Sequence, residues 1–182
     1  MHLHKTSLRD AYLIKLAPRA DARGSFCRLF CAQILRDEGI VDHTFVQVNL
    51  SENSVRGTLR GLHFQASPHF EAKVVYCLRG AVFDVIVDLR RDSPTYLRYF
   101  AYELSAEEGV ALYVPKGYAH GFLTLEDDST LLYLMSDFYR PGCERGYRFD
   151  DPAFGIAWPF APRVISEKDQ YYPAFESAHV SC

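Results

Sequence analysis

The residues of this 182-residue chain best suited to chemistry fall in two short segments. Gly57-Thr58-Leu59-Arg60-Gly61-Leu62-His63-Phe64-Gln65 sets an arginine three residues before a histidine, and Lys73 follows ten residues after it. Pro115-Lys116-Gly117-Tyr118-Ala119-His120-Gly121-Phe122 carries a second histidine. An imidazole titrates near neutral pH, so His63 is a candidate for moving a proton. The other reading of a lone histidine in a strand is a hydrogen-bonded structural role. The formal net charge is −3, which gives no basic field for nucleic acid or an anionic membrane. Arg60 and Lys73 would therefore act as local cations, suited to an anionic small-molecule substrate held in a cavity.

The elements that must position these groups read as strands. Lys73–Leu78, Ala81–Leu89, Tyr96–Leu104, Gly109–Val114, Gly121–Leu125 and Ser129–Ser136 are apolar runs punctuated by Gly, Pro and Asp turns, and Phe45–Asn49 alternates. That spacing predicts an antiparallel sandwich or barrel with its core over about 45–137, within one domain spanning 1–182. Cys31–Glu38 and Glu167–Tyr171 are the helix candidates, and the aromatic, Pro-rich C-terminal stretch is expected to wrap the barrel as loops. The N-terminus lacks a signal-peptide core and no run is long enough to span a membrane, which predicts a cytoplasmic protein. Five cysteines, odd in number and without a second pair at zinc-site spacing, are expected to be reduced.

The second segment fits the Pro-x-Gly-x-x-His pattern that brings a histidine into the mouth of many double-stranded β-helix (cupin) barrels. In metal-binding cupins a His-x-His pair precedes it. Here the position two after His63 is Gln65, so two histidines remain, too few for a first-row metal site. No metal and no cofactor are expected.

The ordered motifs extend further. Phe45-Val46-Gln47-x-Asn49, Leu59-Arg60-Gly61-Leu62-His63-Phe64-Gln65, Gly80-x-Val82-x-Asp84-Val85 and Asp88-Leu89-Arg90-x-x-Ser93-Pro94-Thr95 appear in turn. Leu104-Ser105-Ala106, Pro115-x-Gly117-x-Ala119-His120-Gly121-Phe122, Tyr133, Asp150-Asp151-Pro152, Gly155-Ile156-x-Trp158-Pro159 and Ser166-x-Lys168-Asp169 follow. From Asp21-x-Arg23-Gly24 to Asp169 the chain resembles the dTDP-4-dehydrorhamnose 3,5-epimerases. The resemblance implies an all-β cupin jelly roll with short peripheral helices, a homodimer, and a metal-free site inside the barrel. It implies inversion at C3 and C5 of a nucleotide-linked 4-keto-6-deoxyhexose by proton removal beside the C4 ketone. His63 would be the base, Asp169 its carboxylate partner, Lys73 the cation facing the enolate oxygen, and Tyr133 the acid on the opposite face. Arg23, Gln47, Asn49, Arg60 and Lys168 match positions that hold the nucleotide diphosphate, and Tyr139 one that stacks on the base. Phe26, Arg28, His120 and Glu144 complete the implied binding set.

Some positions depart from the family pattern. Arg28 and Lys116 stand where Glu is usual, Val48 where Asp is usual, and Leu134 where Lys is usual. Arg28 reverses a charge near the expected nucleotide pocket, so the base and the number of carbons inverted stay open. The alternatives are an epimerase of C3 or C5 alone, a 3,4-ketoisomerase, and a cupin that binds a sugar nucleotide without turnover. Asp84 is expected to support Lys73 or Arg60, and Asp88 to sit on a solvated or salt-bridged face. Tyr12-Leu13-Ile14 is a candidate strand for crossing between subunits.

Overall fold

A computed structural model describes residues 1–175. Fourteen strands are present among them: β1 (His2–Lys5), β2 (Tyr12–Lys15), β3 (Arg19–Asp21), β4 (Gly24–Phe26), β5 (Gln47–Asn53), β6 (Thr58–Gln65) and β7 (Lys73–Arg79) lead. Then come β8 (Ala81–Asp88), β9 (Tyr99–Ser105), β10 (Val110–Val114), β11 (Tyr118–Thr124), β12 (Ser129–Met135), β13 (Glu144–Gly146) and β14 (Val164–Ile165). Two short helices, α1 (Ala32–Asp37) and α2 (Glu167–Gln170), fall on the expected segments.

One six-stranded sheet runs β1-β2-β10-β7-β12-β5, and a second runs β13-β6-β11-β8-β9 with β14 beside β6. Between them lies a core that includes Val75, Cys77, Val82, Ile86, Leu112, Phe122 and Leu131. The outer faces are covered as well. Leu35 of α1 packs with Val74, Tyr76 and Tyr113 outside the first sheet, and Trp158 and Phe175 close over Leu62, Phe64 and Tyr147 outside the second. With both faces covered, β8 and β11 are buried almost end to end rather than at alternate residues.

The structure corrects several expectations. Tyr12-Leu13-Ile14 pairs with β10 of its own chain, and Ile14 is buried there. The strand expected from Tyr96 starts at Tyr99, because Leu97 takes φ of 61° in a turn whose N–H bonds the Asp88 carbonyl at 2.8 Å. Cys27, Cys31 and Cys77 are free thiols, but Cys143 is disulfide-bonded; bridging requires Cα atoms within roughly 4–7 Å and Cβ vectors that face each other, which chain path rather than spacing decides. The expectation for Cys182 lies outside the described residues. No helix among the described residues is long and apolar enough to cross a membrane.

Candidate active site

Polar side chains gather at one end of the space between the sheets, around a cavity of about 300 Å³. Its walls include Gln47, Asn49, Arg60, His63, Lys73, His120, Tyr133, Tyr139 and Glu144, each expected from the sequence. A larger cavity, about 480 Å³, lies outside the barrel between Phe64, Tyr147 and Phe175 and is lined by none of the expected site residues. The smaller one holds the titratable constellation.

Arg60 and His63 are three residues apart, which in a regular strand would point them to opposite faces. Both line the cavity because β6 bulges against β11: His63 pairs with His120, but Arg60 pairs with Phe122. Gly61 makes the bulge possible. Its φ is 136°, and a Cβ there would sit 2.5 Å from the Gly121 Cα.

Behind His63 stands Asp169. The His63 Nε2–H donates to Asp169 Oδ1 at 2.7 Å, and the Gly61 N–H donates to Oδ2 at 3.2 Å. The carboxylate is delivered by α2, whose N-cap Ser166 accepts the Asp169 N–H through Oγ at 3.1 Å. Burial alone would raise the Asp169 carboxyl. The hydrogen bond and charge of His63, with the Gly61 and Ser166 contacts, outweigh burial and hold it below its ordinary value. With Nε2 carrying the shared proton, the Nδ1 lone pair is the basic face of the imidazole. Tyr172 packs edge-on to the same ring at 5.7 Å.

The opposing sheet supplies Lys73 and Tyr133, on β7 and β12. Burial first, then the charge of Asp84, push the Tyr133 hydroxyl well above its ordinary range, with Ser51 and Arg60 opposing. It is a phenol that keeps its proton. Lys73 Nζ lies 3.2 Å from Glu71 Oε1. Asp84 does not support Lys73 or Arg60. It is fully buried and takes His120 Nε2–H at 2.9 Å, because the two lie near each other on adjacent strands, while Arg60 Nε–H donates to Asn53 at 2.8 Å. Asp88 is salt-bridged as expected, to Arg90 Nε at 2.9 Å, but it is buried rather than solvated.

At the mouth, the Tyr139 N–H donates to Gln47 Oε1 at 3.2 Å and Lys168 Nζ meets Glu144 Oε2 at 2.6 Å, with Lys168 outside the cavity wall. The Glu144 hydrogen bond raises the Lys168 ammonium. Arg23, Phe26 and Arg28 are not brought to the cavity of their own chain. The β3–β4 hairpin pairs only with itself, and Phe26 is 71% exposed. Arg23 is spent on Asp21, at 2.6 Å. Among wall residues without an assigned role are Ser51, Gln65, Glu71, Phe122 and Met135. Glu71 is two residues before Lys73, a strand-period offset that could have flagged it. Among the described residues no three His, Cys, Asp or Glu side chains converge as metal ligands.

Comparisons with known proteins bear on the family and the fold. The family model for dTDP-4-dehydrorhamnose 3,5-epimerase matches residues 5–177. The dTDP-4-dehydrorhamnose 3,5-epimerase of Sinorhizobium fredii is 42% identical over 182 residues, covering 100% of this chain and 93% of that protein. The Bacillus anthracis dTDP-4-dehydrorhamnose 3,5-epimerase, solved with TDP and PPi bound, superposes with a TM-score of 0.91 at 37% identity, covering 96% of this chain and 99% of that one. A 3′-monoepimerase from Streptomyces bikiniensis, solved with dTDP-quinovose, gives 0.86 at 36% identity, covering 94% and 86%. These matches bear out the cupin jelly roll expected from the motifs. The chain belongs to the dTDP-4-dehydrorhamnose 3,5-epimerase family.

Proposed function

We propose that this protein inverts C3 and C5 of dTDP-4-dehydro-6-deoxy-D-glucose, giving dTDP-4-dehydro-L-rhamnose. The observation that carries the reading is the opposition of the His63–Asp169 pair on one sheet to Lys73 and Tyr133 on the other. A proton beside a ketone is far less acidic than imidazolium, so a base alone is insufficient. In this reading Nδ1 of His63 takes the proton while the Lys73 ammonium faces the developing enolate oxygen, an electrostatic contribution of several kcal/mol in a water-poor site. Tyr133, kept protonated by burial, returns a proton from the other face. Asp169 fixes the imidazole tautomer and balances the imidazolium that forms.

Arg60, Gln47 and Asn49 would hold the diphosphate and Tyr139 the base, with Glu144 and Lys168 at the rim. The exposed Arg23–Phe26 hairpin and Arg28 support a homodimer in which this arm covers the cavity of a second copy. Sedimentation tests that: a monomeric protein that binds dTDP as tightly as wild type after Phe26→Ala argues against the arm.

Incubation with the 4-keto substrate in D2O should place deuterium at C3 and C5. No exchange at either carbon, beside an active control enzyme, would sink the reading. Exchange at C3 alone would assign the protein to the activity named for the Streptomyces bikiniensis neighbour.

A further inference from the structure

The cavity holds a carboxylate to which the proposed mechanism gives no part. Glu71 and Lys73 side chains are each 8% exposed, with Oε1 and Nζ 3.2 Å apart. The other Glu71 oxygen accepts from Gln65 Nε2 at 2.7 Å. Gln65, also buried, is fully engaged. Its Nε2 donates a second time, to the Phe138 carbonyl at 3.3 Å, and its Oε1 accepts the Arg140 N–H at 2.8 Å. One amide thus grips the loop on both sides of Tyr139 and orients the carboxylate beside Lys73.

We propose that Glu71 is a positioning residue for Lys73, and that Gln65 couples this placement to the loop carrying Tyr139. The inference rests on the reading above, in which Lys73 faces the enolate oxygen. A lysine has a flexible stem and three equivalent donors, so its buried charge has no preferred direction unless an anion supplies one. Glu71 takes one donor and leaves two for a ligand. An amide with both donors and its acceptor in use cannot rotate, and the carboxylate it holds stays in place. The position that would carry the second histidine of a metal cupin therefore has a different task here. The remaining charged or titratable groups on the wall are Arg60, His63, His120, Tyr133, Tyr139 and Glu144; among the described residues Glu71 is the acidic group within ion-pair distance of Lys73.

The test is Glu71→Gln, with Gln65→Met as a second variant, each checked for folding by circular dichroism and melting temperature. Glu71→Gln should lower kcat about 10- to 100-fold, as small misplacements of a catalytic group do, with KM and dTDP affinity nearly unchanged. Glu71→Asp should restore part of the rate. Gln65→Met should lower kcat and also weaken dTDP binding, since both grips are lost. A folded Glu71→Gln protein with wild-type kcat overturns the proposal. If that variant does not fold, wild-type kcat in Glu71→Asp and Gln65→Met overturns it equally. Failure of the underlying reading looks different: either the wild-type protein exchanges no deuterium, or Lys73→Met turns over as fast as wild type.

Discussion

Asp169→Asn is the most informative single change. In the native site both carboxylate oxygens accept, one from His63 Nε2–H at 2.7 Å and one from the Gly61 N–H at 3.2 Å. An amide offers one acceptor and one donor. Its oxygen would keep the Gly61 N–H, which is fixed backbone, and its NH2 would then face His63. The imidazole meets that donor by accepting at Nε2, which moves its proton to Nδ1 and removes the lone pair directed at substrate. The loss is that of a buried charge-assisted hydrogen bond, about 1.5–3 kcal/mol, and at 1.36 kcal/mol per decade that is roughly 10- to 150-fold in kcat. The assay is deuterium exchange at C3 and C5 followed by NMR, with dTDP affinity measured on the same preparation. The base acts on the sugar and not the nucleotide, so dTDP binding should hold. A folded variant with kcat within about twofold of wild type would refute the dyad.

Three further outcomes are expected. Tyr133→Phe should still exchange the substrate proton through His63 yet lose net inversion by about 10²- to 10⁴-fold, measured as wash-in against product formation; equal losses of both would remove Tyr133 as the acid. Asp88 is held below its ordinary value because Arg90, Ser93 and Thr95 outweigh the opposing effect of burial. Its contribution is full above the unfolded value of about 3.9 and is lost as pH falls through the lower folded value, so Asp88→Asn should cost about 3 kcal/mol near pH 7 and progressively less below about pH 4, by urea denaturation. A Cβ on Gly146 would fall 2.4 Å from the Tyr172 ring. Gly146→Ala should therefore lower stability by about 1–3 kcal/mol and reduce kcat through the ring packed on His63; an unchanged melting temperature would contradict that packing.

The elements readable in the sequence are those whose turns are marked by residue type. Gly80, Pro94 and Gly109 separate β7 to β10, and both helices begin and end within two residues of the expected bounds. Strands of two to four residues, such as β13 and β14, have no period to read and exist because β6 offers them a partner. The histidine, the lysine, the tyrosine and the capped aspartate were legible from motifs; the cavity gathers the first three, and the aspartate stands behind the histidine. The common facing of Arg60 and His63 was not, since three-residue spacing contradicts strand parity until the bulge is seen. Nor was the absence of Arg23, Phe26 and Arg28 from the cavity of their own chain, because a motif marks a residue without showing which wall it meets. Asp84 was matched to the wrong partners for a similar reason: the register of β8 on β11 sets it opposite Phe122, two residues from His120 on the same face, and a motif does not show that register.

The pinch between Gly61 and Gly121 has a consequence for how such a protein diversifies. The direction of the base is set where two backbones touch and no side chain intervenes, so substitutions elsewhere on the wall leave it alone. The Gln47, Asn49 and Tyr139 end is built instead from an edge strand and a loop, both open to solvent-side variation. In the proposed reading, nucleotide preference can therefore drift through one end of the cavity while proton chemistry stays constant at the other. Departures such as Arg28 and Val48 fall on exposed positions away from that pinch. Descendants of this scaffold should differ in what they accept long before they differ in what they do to it.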